Sequence, residues 1–266
     1  MWAGIQSSAF CQSNEIGLFV GMSYYIGDIN PGKQFYMPGL AIGGLYRKNF
    51  NRRWTLKATG TYGTLKGDDA KSKDQNQNIR NLSFKSIDLD FTAQMEFNFF
   101  RYELGHEIYK FTPYISAGLG LMYFNPKAEL NGTVYKLHDL STEGQDITAY
   151  PDRFAYKRLQ PTIPFAIGFK WSPLRNLGLG LEWSWRKTFT DYIDDVSKTY
   201  ANKAAISAER GAEAAALSDR TGILTDNTGR MRGNAKNNDW TSFFGLTVSF
   251  LVGNNKPCDA YNSTFE

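Results

Sequence analysis

The chain has 266 residues, 42% hydrophobic and 15% aromatic, with a net charge of only +4. The length fits one large domain, the small charge gives no reason to invoke nucleic acid, and no apolar run approaches the roughly 18 residues of a membrane-spanning helix. A negative mean hydropathy beside 19 Phe, 15 Tyr, 6 Trp and 25 Gly suits a chain in which apolar and polar residues alternate.

Residues 1–11 (MWAGIQSSAFC) resemble the end of a signal peptide, with Ala9 and Cys11 at small-residue spacing before Gln12 but no basic start. A short arm is the other reading. Phe10 stands where a lipoprotein cleavage before Cys11 needs a small residue. Cys11 and Cys258 flank the following domain and could oxidise together in an oxidising compartment.

From residue 12 to 252 a period of two recurs. It predicts eight strands at 15–25, 38–50, 54–65, 82–100, 111–124, 159–172, 177–187 and 240–252. The fourth is the clearest: Ile87, Leu89, Phe91, Ala93, Met95, Phe97 and Phe99 alternate with Asp88, Asp90, Thr92, Gln94, Glu96 and Asn98. That is far longer than the usual strand of about 5–6 residues. Its length suits a tilted strand with lipid on one face and a polar lumen on the other.

The connections alternate in length. Short ones (51–53, 101–110, 173–176) separate long ones (26–37, 66–81, 125–158, 188–239). The expected fold is therefore all-β: an eight-stranded antiparallel up-and-down transmembrane barrel with short periplasmic turns and long extracellular loops. Both ends of the barrel then fall in the periplasm, where residues 253–266 form a tail. Aromatic residues sort into two belts. Tyr46, Phe50, Trp54, Phe99, Tyr102, Phe111 and Trp171 belong to the periplasmic one, and Tyr24, Tyr62, Tyr123, Trp183 and Trp185 to the outer one. Pro164 inside the sixth strand predicts a bulge there, or a strand that starts later.

The same alternation turns Arg47, Lys57, Lys170 and Arg186 inward, against Asp88, Asp90, Glu96 and Glu182. A barrel of eight strands has an interior just wide enough for its own side chains, and buried charges persist only when paired. Balanced signs predict a salt-bridge plug rather than an ion path.

Catalytic and cofactor signals are weak. His106 and His138 fall on opposite ends, so they share no metal. His138–Asp139 lacks the nucleophile motif that a hydrolase triad needs. Asp191, Asp194 and Asp195 match no EF-hand spacing and read as a solvated acidic turn. The glycines of 39–44 lie in a strand, with neither the Lys nor the helix of a phosphate loop. Residues 204–217 (AAISAERGAEAAAL) predict a short helix within the fourth long loop. No cofactor, metal or small-molecule substrate is expected.

Several segments resemble the PorG-like family of outer-membrane barrels in the type IX secretion system. They are GLFVGMSYYIGDINP (17–31), NLSFKS with EFNFFRYE (81–103), FTPYISAGLG with YFNPKA (111–128), STEGQ…YPDR (141–153), IPFAIGFKWS (163–172), LGLEWSWRKTFTDYIDDVS (179–197) and RGNAKNNDW (232–240). The resemblance implies a non-enzymatic barrel in the cell outer membrane that serves protein secretion, and gliding as well in some systems. It implies two partners: outer-membrane lipid, and a periplasmic ring built from a lipoprotein and its ring partner. Contact would use the periplasmic face, where Arg52, Arg53, Arg101 and Arg175 are the candidates. A small porin-like or ligand-binding surface barrel is the alternative reading, and a lipid-modifying enzyme acting from the outer loops is a third.

Overall fold

A computed structural model of the chain describes residues 13–222 and 226–253. Eight long strands close on themselves: β1 (Ser13–Ile26), β2 (Gly39–Asn49), β3 (Trp54–Asp68), β4 (Ser83–Asn98), β5 (Phe111–Phe124), β8 (Leu159–Leu174), β9 (Leu177–Thr188) and β10 (Trp240–Val252). Every neighbour is antiparallel, β3 pairs with β4, and β1 pairs with β10 to complete the ring. A closed ring leaves no unpaired edge among these strands, which is the condition for β structure in lipid. A small hairpin, β6 (Lys127–Leu130) and β7 (Thr133–Lys136), continues the sheet beyond the loop end of β4 through one pairing, Lys85 with Lys127.

The usual distribution of polarity is inverted. Leu18, Phe91, Leu119 and Leu246 are 62–74% exposed, while Lys57, Asp90 and Glu96 are wholly buried. On β4 the outward apolar run extends from Ile87 to Phe97, ten residues along the strand. At ~3.3 Å per residue and a tilt of ~40° that is about 25 Å of height, the thickness of an outer-membrane apolar band. Among the described residues no helix is long and apolar enough to cross a membrane.

The interior is narrow, and two glycines show how it is filled. A Cβ on Gly245 would lie 2.8 Å from Phe19 Cζ, and one on Gly168 would lie 2.6 Å from Tyr114 Cζ. Each missing side chain makes the space its neighbour's ring occupies.

Pro164 produces no bulge. It sits opposite Arg186 in continuous register with β9, and β8 begins five residues earlier, at Leu159. On its other side the ladder to β5 is interrupted between Ala117–Phe165 and Gly120–Thr162, with no change of register. The missing proline N–H is absorbed as a local gap. The one register shift lies between Trp171 and Leu174, at the turn end.

The long connections are folded. Residues 69–82 hold a short 3-10 turn and α1 (Gln75–Arg80), residues 125–158 hold β6, β7 and α2 (Leu137–Leu140), and residues 189–239 hold α3 (Lys203–Arg210) and α4 (Ala212–Ser218). The helix expected over 204–217 is thus two helices, broken at Gly211, whose φ of +94° is left-handed territory. Ile29, Leu82, Leu137, Ile193, Val196 and Leu217 from these connections join Tyr25, Leu65, Phe84, Met122 and Phe124 of the barrel in one apolar core. The loops form a cap rooted in the mouth. Residues 1–12 and 254–266, and with them the Cys11–Cys258 pairing and the leader, lie outside the described residues.

Candidate functional site

The inward residues near the turn end of the barrel form a charge network centred on Glu96. Its carboxylate accepts from Arg47 Nε at 3.3 Å, Lys57 Nζ at 3.4 Å and Lys170 Nζ at 2.8 Å. Lys57 bridges onward to Glu182 at 2.5 Å, and Tyr114 donates its hydroxyl to the same carboxylate. Lys170 Nζ also lies 4.9 Å from the Tyr114 ring centroid and 5.1 Å from that of Tyr102. A carboxylate holding three cations requires further acid nearby, and Glu15 supplies it. Glu15 is fully buried, 3.8 Å from Arg47, and accepts from Asn49 and Ser249. Glu15 was absent from the inward set read from sequence because it stood at the assumed start of the first strand; β1 begins two residues earlier, at Ser13.

Arg186 and Asp90 make a separate pair at 2.8 Å, further toward the loops. Asp88 is inward and buried as expected, yet it joins no ion pair among the described residues; Thr241 and Arg186 are its polar neighbours. The eight inward charges expected from alternation are therefore all buried: five in the network, Arg186 and Asp90 in their own pair, and Asp88 in neither. Phe19, Ala41 and Phe243 form an apolar layer across the lumen. The void beside it, lined by Lys57, Glu182, Arg186 and Phe243 among others, measures about 10 Å³. That is the volume needed for about one water molecule.

Both ends are covered. At the turn end the β4–β5 connection folds back, burying Tyr102 and Leu104. Tyr102 was expected in the lipid-facing belt; it turns instead toward Lys170, because residues 99–110 are a folded turn and not a continuation of the strand. Tyr46, Trp54, Phe99, Phe111 and Trp171 do face outward.

The loop end is closed by the cap, and its acids are structural. Asp191, Asp194 and Asp195 are buried, which corrects the expectation of a solvated turn. Tyr25 reaches up from β1 and places its hydroxyl 2.5 Å from Asp194 and 3.1 Å from Asp239. Asp195 accepts from Thr142 and from Tyr156 at 2.7 Å. Glu143 takes the backbone N–H groups of Ser197 and Lys198 and the Arg232 guanidinium. Arg80 clasps Asp69 through two nitrogens and donates to the carbonyls of Asp28 and Arg232. Burial, with Asp28 close by, pushes the Asp191 carboxyl up to about 8. Burial raises Asp195 to about 6 against the pull of Arg232. Asp194 and Asp239 are both held well above the usual carboxylate range, by burial first and then by neighbouring acid. Sequence could not have found this cluster, since its members come from four connections.

The remaining expectations resolve locally. His106 Nδ1 accepts from the backbone of Ile108 and Tyr109 in the turn. His138 uses one ring nitrogen on Asp139 and the other on the Tyr156 carbonyl, each at 3.1 Å, so neither ring nitrogen is free for a nucleophile. No group of three or more His, Cys, Asp or Glu with metal-holding geometry occurs among the described residues. Arg52 is tied to Glu103 at 2.8 Å and stacks over Tyr109, and Arg53 donates to the Phe99 carbonyl. Arg101 and Arg175 are exposed and make no ion pair among the described residues.

Residues 3–207 match the family model described as Domain of unknown function DUF6089. The chain belongs to that family. No curated protein matches it. Among solved structures, the N-terminal β-barrel domain of Pseudomonas aeruginosa OprF covers 91% of this chain and 98% of its own, at 10% identity and a TM-score of 0.38. Ail, the attachment invasion locus protein of Yersinia pestis, covers 91% and 97% at 10% identity and a TM-score of 0.40. Neisserial surface protein A covers 90% and 96% at 9% identity and a TM-score of 0.40. The closed eight-stranded antiparallel barrel itself is given by this chain's own strand pairing.

Proposed function

We propose that this DUF6089 protein is a non-enzymatic barrel of the cell outer membrane that anchors the periplasmic ring of a type IX protein secretion machine. The observation that carries the anchoring part is the sealed lumen. A void of about 10 Å³, a buried charge network below it and a packed cap above leave no aqueous route through the wall, so function belongs to the two ends. The ring partner, a lipoprotein with its companion, follows from the family resemblance of the segments quoted above. The periplasmic contact then uses Arg101 and Arg175, the two of the four candidate arginines that are exposed and make no ion pair among the described residues. Arg52 and Arg53 are committed to holding the turns. Affinity purification from detergent-solubilised outer membranes tests the reading. Recovery of ring components is expected, and their absence where other barrels retain their partners refutes it.

The alternative of a ligand-binding surface barrel draws on one observation, an open concavity of about 360 Å³ in the cap lined by Asp28, Arg80, Tyr200, Arg230 and Arg232. The porin form of that alternative predicts stable conductance in a planar bilayer, which the sealed lumen opposes.

A further inference from the structure

Three lysines stand in one row on the outside of the barrel. Lys66 of β3 is paired directly with Lys85 of β4, and Lys85 directly with Lys127 of β6. Directly opposed residues on adjacent strands share a face, with Cβ atoms about 4.5–5.5 Å apart. The face is the outer one, because the flanking Leu65, Phe84 and Ala128 are buried. Like charges directly opposed destabilise a sheet, so a row of three calls for compensation. The protein compensates it only in part: Asp68 and Glu129 line the same groove, but no lysine of the row has an acid within ion-pair distance among the described residues. Of the nearby acids, Asp68 is committed to the Ala70 N–H with Lys71 at 3.9 Å, and Glu129 sits opposite Val134 on the hairpin.

The height of the row is informative. Ile87, the last outward apolar residue of β4, is two residues below Lys85, so the lysines sit just above the apolar band, at the level of lipid headgroups on the loop side. The β6–β7 hairpin overhangs them and encloses a groove of about 510 Å³ whose apolar part includes Tyr62, Ile87 and Val134. A cationic row above an apolar floor complements an amphiphile with a phosphate at its head.

We propose that this groove binds a phosphorylated lipid of the outer leaflet, its phosphate on Lys66, Lys85 and Lys127 and an acyl chain on Tyr62 and Ile87. The bound anion removes the repulsion that the register imposes. This rests on the outer-membrane reading but not on the secretion role, and it gives the barrel a fixed lipid on one wall, beside the hairpin. Each lysine at a membrane surface contributes about a fivefold gain in affinity for anionic lipid, roughly 100-fold for three.

Native mass spectrometry of the full chain in a neutral detergent tests it, with dilauroyl phosphatidic acid, dilauroylglycerol and inorganic phosphate as probes. The wild type is expected to retain phosphatidic acid, to ignore dilauroylglycerol, and to keep the lipid in excess inorganic phosphate. The triple variant Lys66→Gln, Lys85→Gln, Lys127→Gln should lose most of it, whereas Lys187→Gln, on the far wall, should not. Equal retention by wild type and triple variant overturns the proposal, as does equal loss in Lys187→Gln or equal retention of dilauroylglycerol. Displacement by inorganic phosphate also overturns it, because the site would then hold an ion only. A gel shift on boiling confirms that each variant is folded. If the triple variant lacks that shift, Lys85→Gln alone decides, with a loss of about fivefold expected and no loss refuting the site.

Discussion

Glu96→Ala should destabilise the barrel by about 3–5 kcal/mol, the usual cost of breaking a buried ion pair by removing one partner. The structure says where that cost falls. Of the three cations Glu96 accepts, Arg47 retains Glu15 at 3.8 Å and Lys57 retains Glu182 at 2.5 Å. Among the described residues, Lys170 retains the faces of Tyr102 and Tyr114 but no acid within ion-pair distance. An ammonium left in the lumen without a hydrogen-bonded counter-ion is the dominant penalty, and removing it should restore most of the loss. The double variant Glu96→Ala, Lys170→Met should therefore regain more than half of the lost stability, although it deletes more native contacts than the single one. Urea unfolding in lipid vesicles, followed by tryptophan fluorescence, measures both. A single-variant loss under about 1 kcal/mol would refute the argument, since exposed pairs contribute only that much. So would a double variant no more stable than the single.

Other outcomes follow from the same geometry. Tyr114→Phe removes the hydroxyl that donates to Glu182 and should cost about 1–3 kcal/mol in the same assay. Arg52→Ala removes a mostly buried pair with Glu103, 19% and 18% exposed, and should cost about 1–3 kcal/mol; no measurable loss would show that the turn plug does not depend on it. The cap should be pH-sensitive. Asp191 and Asp195 have carboxyls raised in the folded state to about 8 and about 6, and Asp194 and Asp239 are raised with them. Between about pH 4, where the unfolded carboxyls ionise, and about pH 8, the folded cap binds more protons. Its stability must therefore fall as pH rises through that window. Hydrogen exchange over 189–239 should quicken beyond the intrinsic base-catalysed rise between pH 5 and 8.5. Constant protection after that correction would refute the assignment. On the proposed secretion role, Arg101→Glu with Arg175→Glu should weaken recovery of ring components while leaving the gel shift on boiling intact.

The barrel was legible in the sequence because an apolar outer face and a polar inner face impose a strict rule on every strand. Residues two apart share a solvent, so alternation alone sorted Ile87 through Phe97 outward and Asp88 through Glu96 inward. It also placed Arg47, Lys57, Lys170, Glu182 and Arg186 inside. Where alternation stops, the reading weakened. Glu15 was missed at a strand boundary that lay two residues off. Tyr102 was assigned to the lipid belt because a turn that folds back into the mouth has no period to reveal it. Pro164 was expected to bend its strand, but continuous pairing with β9 on one side holds the register while the other side gaps.

The sequence by itself determined the number of barrel strands, the faces of their alternating residues and the alternation of short and long connections. Each of these depends on residues one or two apart, or on simple counting. Only the tertiary structure decided which charges meet, that Asp88 joins none of the ion pairs, and that Asp191, Asp194 and Asp195 lie inside a packed cap. Those facts depend on residues brought together from distant connections, as Tyr25 with Asp194 and Asp239. The row of Lys66, Lys85 and Lys127 is of the same kind. Three lysines 19 and 42 positions apart become neighbours only when the register of two strand pairs is fixed.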